Sequence, residues 1–256
     1  LTDTAAAALR HALPLLVLLF GALIGCISAS GVLSGLVFIA LVLHGRRWMG
    51  EVFWNVLILV ASIALAAHVV PGFLPLNVRT PYTVSADAPP YQLRLSWDKC
   101  LVGAALLGLW PWGAPARGTS RCRIASVCIA TLIGVPALAM LIGVVGWQPK
   151  WPEILPVWLA INLGVAVLAE ELIFRGMLQG LLVQRCGAVV GIGLTAVLFG
   201  LVHVPFSASF ALVAAVAGLG YGLAYHYSGR LSIAIALHAA VNLLHFLLLS
   251  YPIRIA

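Results

Sequence analysis

From Leu13 to the C-terminus the chain is a succession of long apolar runs separated only by short polar breaks. A helix needs about 20 apolar residues to cross the hydrocarbon of a bilayer, and runs of that kind recur through the whole sequence. Composition agrees, since 63% of residues are hydrophobic and only 8% charged. The mean hydropathy of +1.11 lies far outside the range of soluble domains. The sequence therefore predicts an all-α, polytopic helical membrane protein of about 8–9 membrane segments in one bundle, with no soluble domain. The segments fall near 12–29, 31–43, 51–70, 98–112, 122–145, 155–182, 187–203, 208–227 and 231–250. The second and fourth are short for a full crossing and are expected to be thin, tilted or partly re-entrant.

The net charge of +7 does not point to nucleic acid, because the basic residues are dispersed between apolar runs and form no single basic face. They act as topology determinants. With a cytoplasmic N-terminus and nine crossings, the inside loops hold Arg10, Arg46, Arg47, Arg117, Arg121, Arg123, Arg175, Arg185 and Arg230. The outside set is Arg79, Arg94, Lys99, Lys150 and Arg254. This excess favours a multi-pass protein of the inner (cytoplasmic) membrane with its N-terminus inside. The apolar run after Arg10 has no short polar cleavage region behind it and is read as the first span. The five cysteines form no CxxC pair and have no histidines placed to complete a zinc set, so they are expected to be small buried hydrophobes.

Residues 1–150 are expected to be N-terminal membrane helices with an extracytoplasmic loop at 71–98, and 151–256 a catalytic membrane core. Within the loop, Tyr91, Leu93, Leu95 and Trp97 alternate with Gln92, Arg94 and Ser96 behind Pro89 and Pro90. That period fits a small hairpin or cap; an ordered linker at the lipid interface fits equally well.

One stretch breaks the apolar pattern. AEELIFRG, from Ala169 to Gly176, carries two glutamates and an arginine where each charge costs about 2.5 to 3.5 kcal/mol to insert. Neighbours on a helix differ by about 100° in direction, so Glu170 and Glu171 cannot share a face, whereas Glu171 and Arg175, at i and i+4, can pair. Glu170 has Phe174 at i+4 and no counter-ion on its own helix. It is expected to face a cavity or other polar groups, where a desolvated carboxyl suits a general base.

Further polar residues sit in later apolar runs. Phe199 and His203 end the seventh, and His238, Asn242 and His245 lie along one face of the last. Depth arithmetic at about 1.5 Å per residue lets Glu170 and His238 meet. His203 comes out too near the far surface, unless segment 187–203 is not a simple full crossing.

EExxxR, FxxxH and HxxxN, in this order on separate apolar segments, resemble the CPBP family: prenyl-protein (CAAX) endopeptidases and bacterial relatives linked to bacteriocin processing and immunity. The resemblance covers Ile154 to about Ser250. It implies a glutamate-dependent intramembrane endopeptidase that cuts near a membrane-associated or C-terminal segment of its substrate. Glu170 would activate water with help from His203, and His238 and Asn242 would stabilise the oxyanion. Glu171 and Arg175 would orient the site or the substrate end. His245 lies outside the general motif, and with the terminal LLHFLLLSYP it points to a subgroup that trims sorting tails of exported proteins.

No cofactor is expected, although two histidines and a glutamate could hold a zinc with an open position. Asn242 is a poor zinc ligand but a good oxyanion donor. The expected partners are a membrane-anchored or C-terminal-tail protein substrate and the lipid bilayer, with no nucleic acid. Two other functions compete: a non-catalytic immunity or scaffold protein of the same fold, and a proton-coupled transporter. The glycines of the C-terminal half, Gly164, Gly176, Gly180, Gly191, Gly193, Gly200, Gly218, Gly220 and Gly222, are read as sites of close helix approach.

Overall fold

A computed structural model of the chain describes residues 3–109 and 121–255. Arg117, assigned to the inside set, and the end of the fourth segment at 110–112 lie outside the described residues. The elements are α1 (Asp3–Leu23), α2 (Ala29–His44), α3 (Glu51–Ala66), β1 (Leu76–Asn77), β2 (Arg94–Leu95), α4 (Trp97–Leu109) and α5 (Arg121–Leu141), followed by α6 (Leu155–Leu201), α7 (Ala208–Ser228) and α8 (Leu231–Leu248). The chain is an all-α membrane protein. Five stretches among the described residues are long and apolar enough to cross a bilayer: Ala29–Arg47, Arg121–Leu141, Leu155–Leu201, Ala208–Ser228 and Leu231–Leu248.

Several expected boundaries move, each for a local reason. The first run stops at Leu23, because Gly25 turns at φ 76° and the Ser28 hydroxyl then caps α2 by accepting the Gly31 N–H at 3.4 Å. The third stops at Ala66, where His68 adopts φ 60°. Trp97, expected to end a strand, opens α4. Segments 155–182 and 187–203 fall on two limbs of α6 that meet at Gly187, whose φ of 78° and ψ of 167° suit a residue without Cβ.

Two compact units are distinguished. The first comprises Leu1–Val78, Arg94–Trp112 and Gly164–Ile173. In it α4 is the central helix, with α1, α2, α3 and the turn Leu168–Glu171 of α6 packed against it. Leu18, Phe38, Ile58, Leu101, Val102 and Ala105 are buried there. A short antiparallel ladder pairs Leu76 with Leu95 and Asn77 with Arg94.

The second unit comprises Arg79–Leu93, Gly113–Leu163 and Phe174–Ala256. Here α7 packs on the Gly180–Leu201 part of α6, on α5 and on α8. Residues 79–93 are tied to the C-terminal tail. Tyr82 bridges Tyr91, the buried Ser250 hydroxyl donates to Asp87 Oδ2 at 2.6 Å and accepts the Gly146 N–H at 2.8 Å, and the Tyr251 N–H donates to Ser85 Oγ at 2.9 Å. Beneath them Trp158 and Phe246 stack at 4.1 Å in a cluster with Leu93 and Ile154.

The glycines divide into two kinds. A Cβ at Gly200 would lie 2.7 Å from the Ala211 carbonyl oxygen, so α6 and α7 touch there through backbone, as expected of close approach. At Gly164, Gly180 and Gly193 a Cβ would meet nothing within 4 Å, and close packing does not account for them. Gly200→Ala is accordingly expected to destabilise the protein by about 1 to 3 kcal/mol through overpacking. Gly193→Ala should be neutral or stabilising by up to about 1 kcal/mol, since Gly is the weaker helix former. Thermal unfolding of the two variants in detergent checks the contrast, and equal loss at both positions would contradict it.

Candidate active site

AEELIFRG lies where α6 changes its winding. Asn162–Val167 and Leu172–Gln179 are π-helical, and the α-helical turn Leu168–Glu171 sits between them. Such wide turns concentrate at functional sites. The 100° step that separates the two glutamates holds within this α-turn. Glu171 is wholly buried, while the Glu170 side chain keeps 17% of its exposure.

In the first unit Glu170 has a partner that the sequence reading did not supply. Lys99 Nζ, from the first turn of α4, donates to Glu170 Oε1 at 3.1 Å across 71 residues of sequence. Lys99, counted in the outside set, lies in the first turn of α4 and is 22% exposed. Its neighbour Asp98, whose side chain is 4% exposed, is held by His68, with Nδ1 2.6 Å from Oδ2. The other oxygen, Oδ1, accepts the Lys99 N–H at 2.8 Å. The available signal was the tripeptide Asp98–Lys99–Cys100 leading into an apolar helix, but its spacing to Glu170 carries no periodicity.

In the second unit one cavity of about 70 Å³ is lined by Phe199, His203, Tyr221, His238, Asn242 and His245, among apolar neighbours from α5, α7 and α8. Three of the four expected catalytic side chains thus share one wall. His203 Nδ1 is 2.7 Å from the Phe199 carbonyl oxygen. That oxygen can only accept, so the neutral ring carries its proton on Nδ1 and leaves Nε2 as the basic nitrogen. The motif spacing of four is what makes this bond, one helical turn back along α6. His238 is buried, stacked on Tyr221 at 4.5 Å and set edge-on to Phe199 at 5.7 Å. Asn242 Nδ2 donates to Asn162 Oδ1 at 3.2 Å. Asn162, at the start of a π-helical turn, is a second residue missed by the motifs.

Two expected supporting residues have architectural partners. The Arg175 guanidinium donates to the Gly218 carbonyl at 2.8 Å and lies 4.7 Å over the Phe199 ring and 5.2 Å over Tyr221. One turn on, Gln179 Nε2 donates to the Gly222 carbonyl at 2.9 Å. Both acceptors are glycines in close contacts: a Cβ at Gly218 would lie 3.0 Å from Phe199 Cδ1, and one at Gly222 2.8 Å from Gln179 Oε1. His245 lines the cavity, but its Nε2 donates to the Ser250 carbonyl at 3.0 Å, which ties it to the tail. Lys150 donates to the Leu249 carbonyl nearby. Burial pulls its ammonium down to about 8, opposed in part by Asp87, and the amine keeps its hydrogen-bonding capacity when it loses the charge.

Among the described residues no three His, Cys, Asp or Glu side chains are grouped as a metal ion requires.

Compared with known proteins, residues 151–244 match the family model of the type II CAAX prenyl endopeptidase Rce1-like proteins. No curated protein and no solved structure gives a significant match. The matched span contains Glu170, Glu171, Arg175, Phe199, His203, His238 and Asn242, the residues on which the motif resemblance rests. Over residues 151–244 the chain is thus similar to this family of prenyl endopeptidases.

Proposed function

We propose that the protein is an intramembrane endopeptidase that hydrolyses a peptide bond near a membrane-associated or C-terminal segment of its substrate, using Glu170 to activate water. The family match carries this reading, since it spans every residue of the proposed set. The cavity that holds His203, His238 and Asn242 among apolar neighbours supports it.

In the proposed reaction the Glu170 carboxylate takes a proton from water while His203, through Nε2, accepts the water's other hydrogen bond. The oxygen bonds to the scissile carbonyl carbon, and the carbonyl π electrons move onto its oxygen. The His238 ring and the Asn242 amide donate to that oxyanion, where fixed donors contribute most to rate in a site of low dielectric. Collapse breaks the C–N bond as the proton on Glu170 passes to the leaving amine. Asn162 would hold the Asn242 amide in orientation. Glu171 and Arg175 would neutralise each other within α6, with the arginine anchored to α7.

The expected outcome is that Glu170→Gln and His203→Ala each abolish cleavage. The probe is a prenylated CAAX peptide, with an unprenylated C-terminal tail peptide beside it to separate the two substrate classes. Asn242→Ala should lower kcat by about 10² to 10³, the cost of one oxyanion donor. Normal cleavage by a folded Glu170→Gln variant would contradict the assignment.

We also propose nine membrane segments, with the two limbs of α6 counted separately, in the cytoplasmic membrane with the N-terminus inside. The excess of arginine in the inward loops supports this orientation. Cys122 and Cys186 are exposed, not buried as expected, and should then react with an impermeant maleimide only from the cytoplasmic face. Labelling from the outer face would reverse the topology.

A further inference from the structure

We infer that Lys99 is a positioning residue for the Glu170 carboxylate, an inference that rests on Glu170 being the group that activates water. Lys99 lies in the N-terminal half of the chain, outside the span that matches the endopeptidase family. Its ammonium nevertheless sits 3.1 Å from Glu170 Oε1, with both side chains mostly buried, at 22% and 17% exposure. A charge-assisted bond of this kind is short and directional. It fixes one carboxylate oxygen, and with it the rotamer of the side chain that must meet the water.

The lysine is itself held. Asp98 binds its backbone N–H through Oδ1 at 2.8 Å and is clamped through Oδ2 by His68 at 2.6 Å, so the first turn of α4 is pinned on the side of the loop. Four residues along the same face of α4, Gly103 lies against α6, where a Cβ would be 3.8 Å from Leu168 Cδ2 and 3.9 Å from Ala169 Cβ. Packing at Gly103 sets the spacing between the helices immediately beside Glu170. Lys99, one turn back, spans that spacing.

The arrangement also meets an electrostatic need. A carboxylate taken out of water without a counter-charge neutralises or swings back to solvent, since the desolvation penalty for an ion in the interior is several kcal/mol. The Lys99 ammonium supplies that counter-charge and holds Glu170 in place between turnovers. Lys99 touches the base, so its loss is expected to act on turnover and leave binding unchanged.

The test uses the purified full chain in detergent with a prenylated CAAX peptide as probe. Lys99→Gln is expected to lower kcat by about 10²-fold, the scale of a misplaced catalytic group, with KM changed by no more than about twofold. Lys99→Arg, which keeps the charge, should recover most of that loss. Native kcat in Lys99→Gln, equal loss in Lys99→Gln and Lys99→Arg, or a rise in KM alone would overturn the inference. If Lys99→Gln does not accumulate in folded form, Lys99→Met takes its place and the same outcomes decide. Cleavage by Glu170→Gln would overturn the function itself, whereas an inactive Glu170→Gln beside a fully active Lys99→Gln would overturn this inference alone.

Discussion

The cost of carrying charge inside an apolar chain governs the arrangement of this protein. Three charged groups at helix positions have specific partners from distant segments. Lys99 donates to Glu170, Asp98 receives His68, and Arg175 donates to a glycine carbonyl on α7 beneath two aromatic rings. Each contact satisfies a group whose isolated burial would disfavour the fold. Each also fixes the relation of two helices within a unit, so the polar residues are architectural as well as chemical. The glycines at 218 and 222 belong to the same scheme, because bare helix carbonyls are the acceptors that let Arg175 and Gln179 end inside the bundle.

The cavity of the second unit applies the same economy of polar groups to chemistry. Its polar residues are few, and the surrounding structure sets how each is presented. The Phe199 carbonyl decides which His203 nitrogen is basic, Tyr221 fixes the plane of His238, and Asn162 takes one side of the Asn242 amide. Fixed orientation of this kind lets a few donors stabilise a developing charge without reorganising during the reaction. His245, which also lines the cavity, is tied to the tail carbonyl of Ser250.

Much of this was legible in the sequence, and the limit has a physical form. Apolar runs gave most of the helices closely, because burial in lipid depends on length and composition, but α1 (Asp3–Leu23) begins and ends well before the expected 12–29. The motif residues could be found because each pair sits one turn apart on a single helix, as with Phe199 and His203. Partners from distant segments left no such trace. Lys99 is separated from Glu170 by 71 residues, and a lysine at the end of a polar loop looks like a topology signal until the fold places it. Asn162 and the π-helical turns around AEELIFRG were equally hidden, since winding is decided by packing on both sides of the helix. Gly164, Gly180 and Gly193 show the opposite error, a small residue credited with a contact it does not make.

If Glu170 activates water and does not attack the substrate itself, the origin of the product oxygen records it. The most direct measurement is cleavage of a prenylated CAAX peptide over many turnovers in water enriched in oxygen-18, followed by mass analysis of the product and of the enzyme fragment that contains Glu170. A general-base role predicts one labelled oxygen in the new C-terminal carboxylate of the product and none in the enzyme fragment. Label accumulating in the Glu170 fragment would mean that its carboxylate attacks the carbonyl and is released by hydrolysis, which contradicts the mechanism.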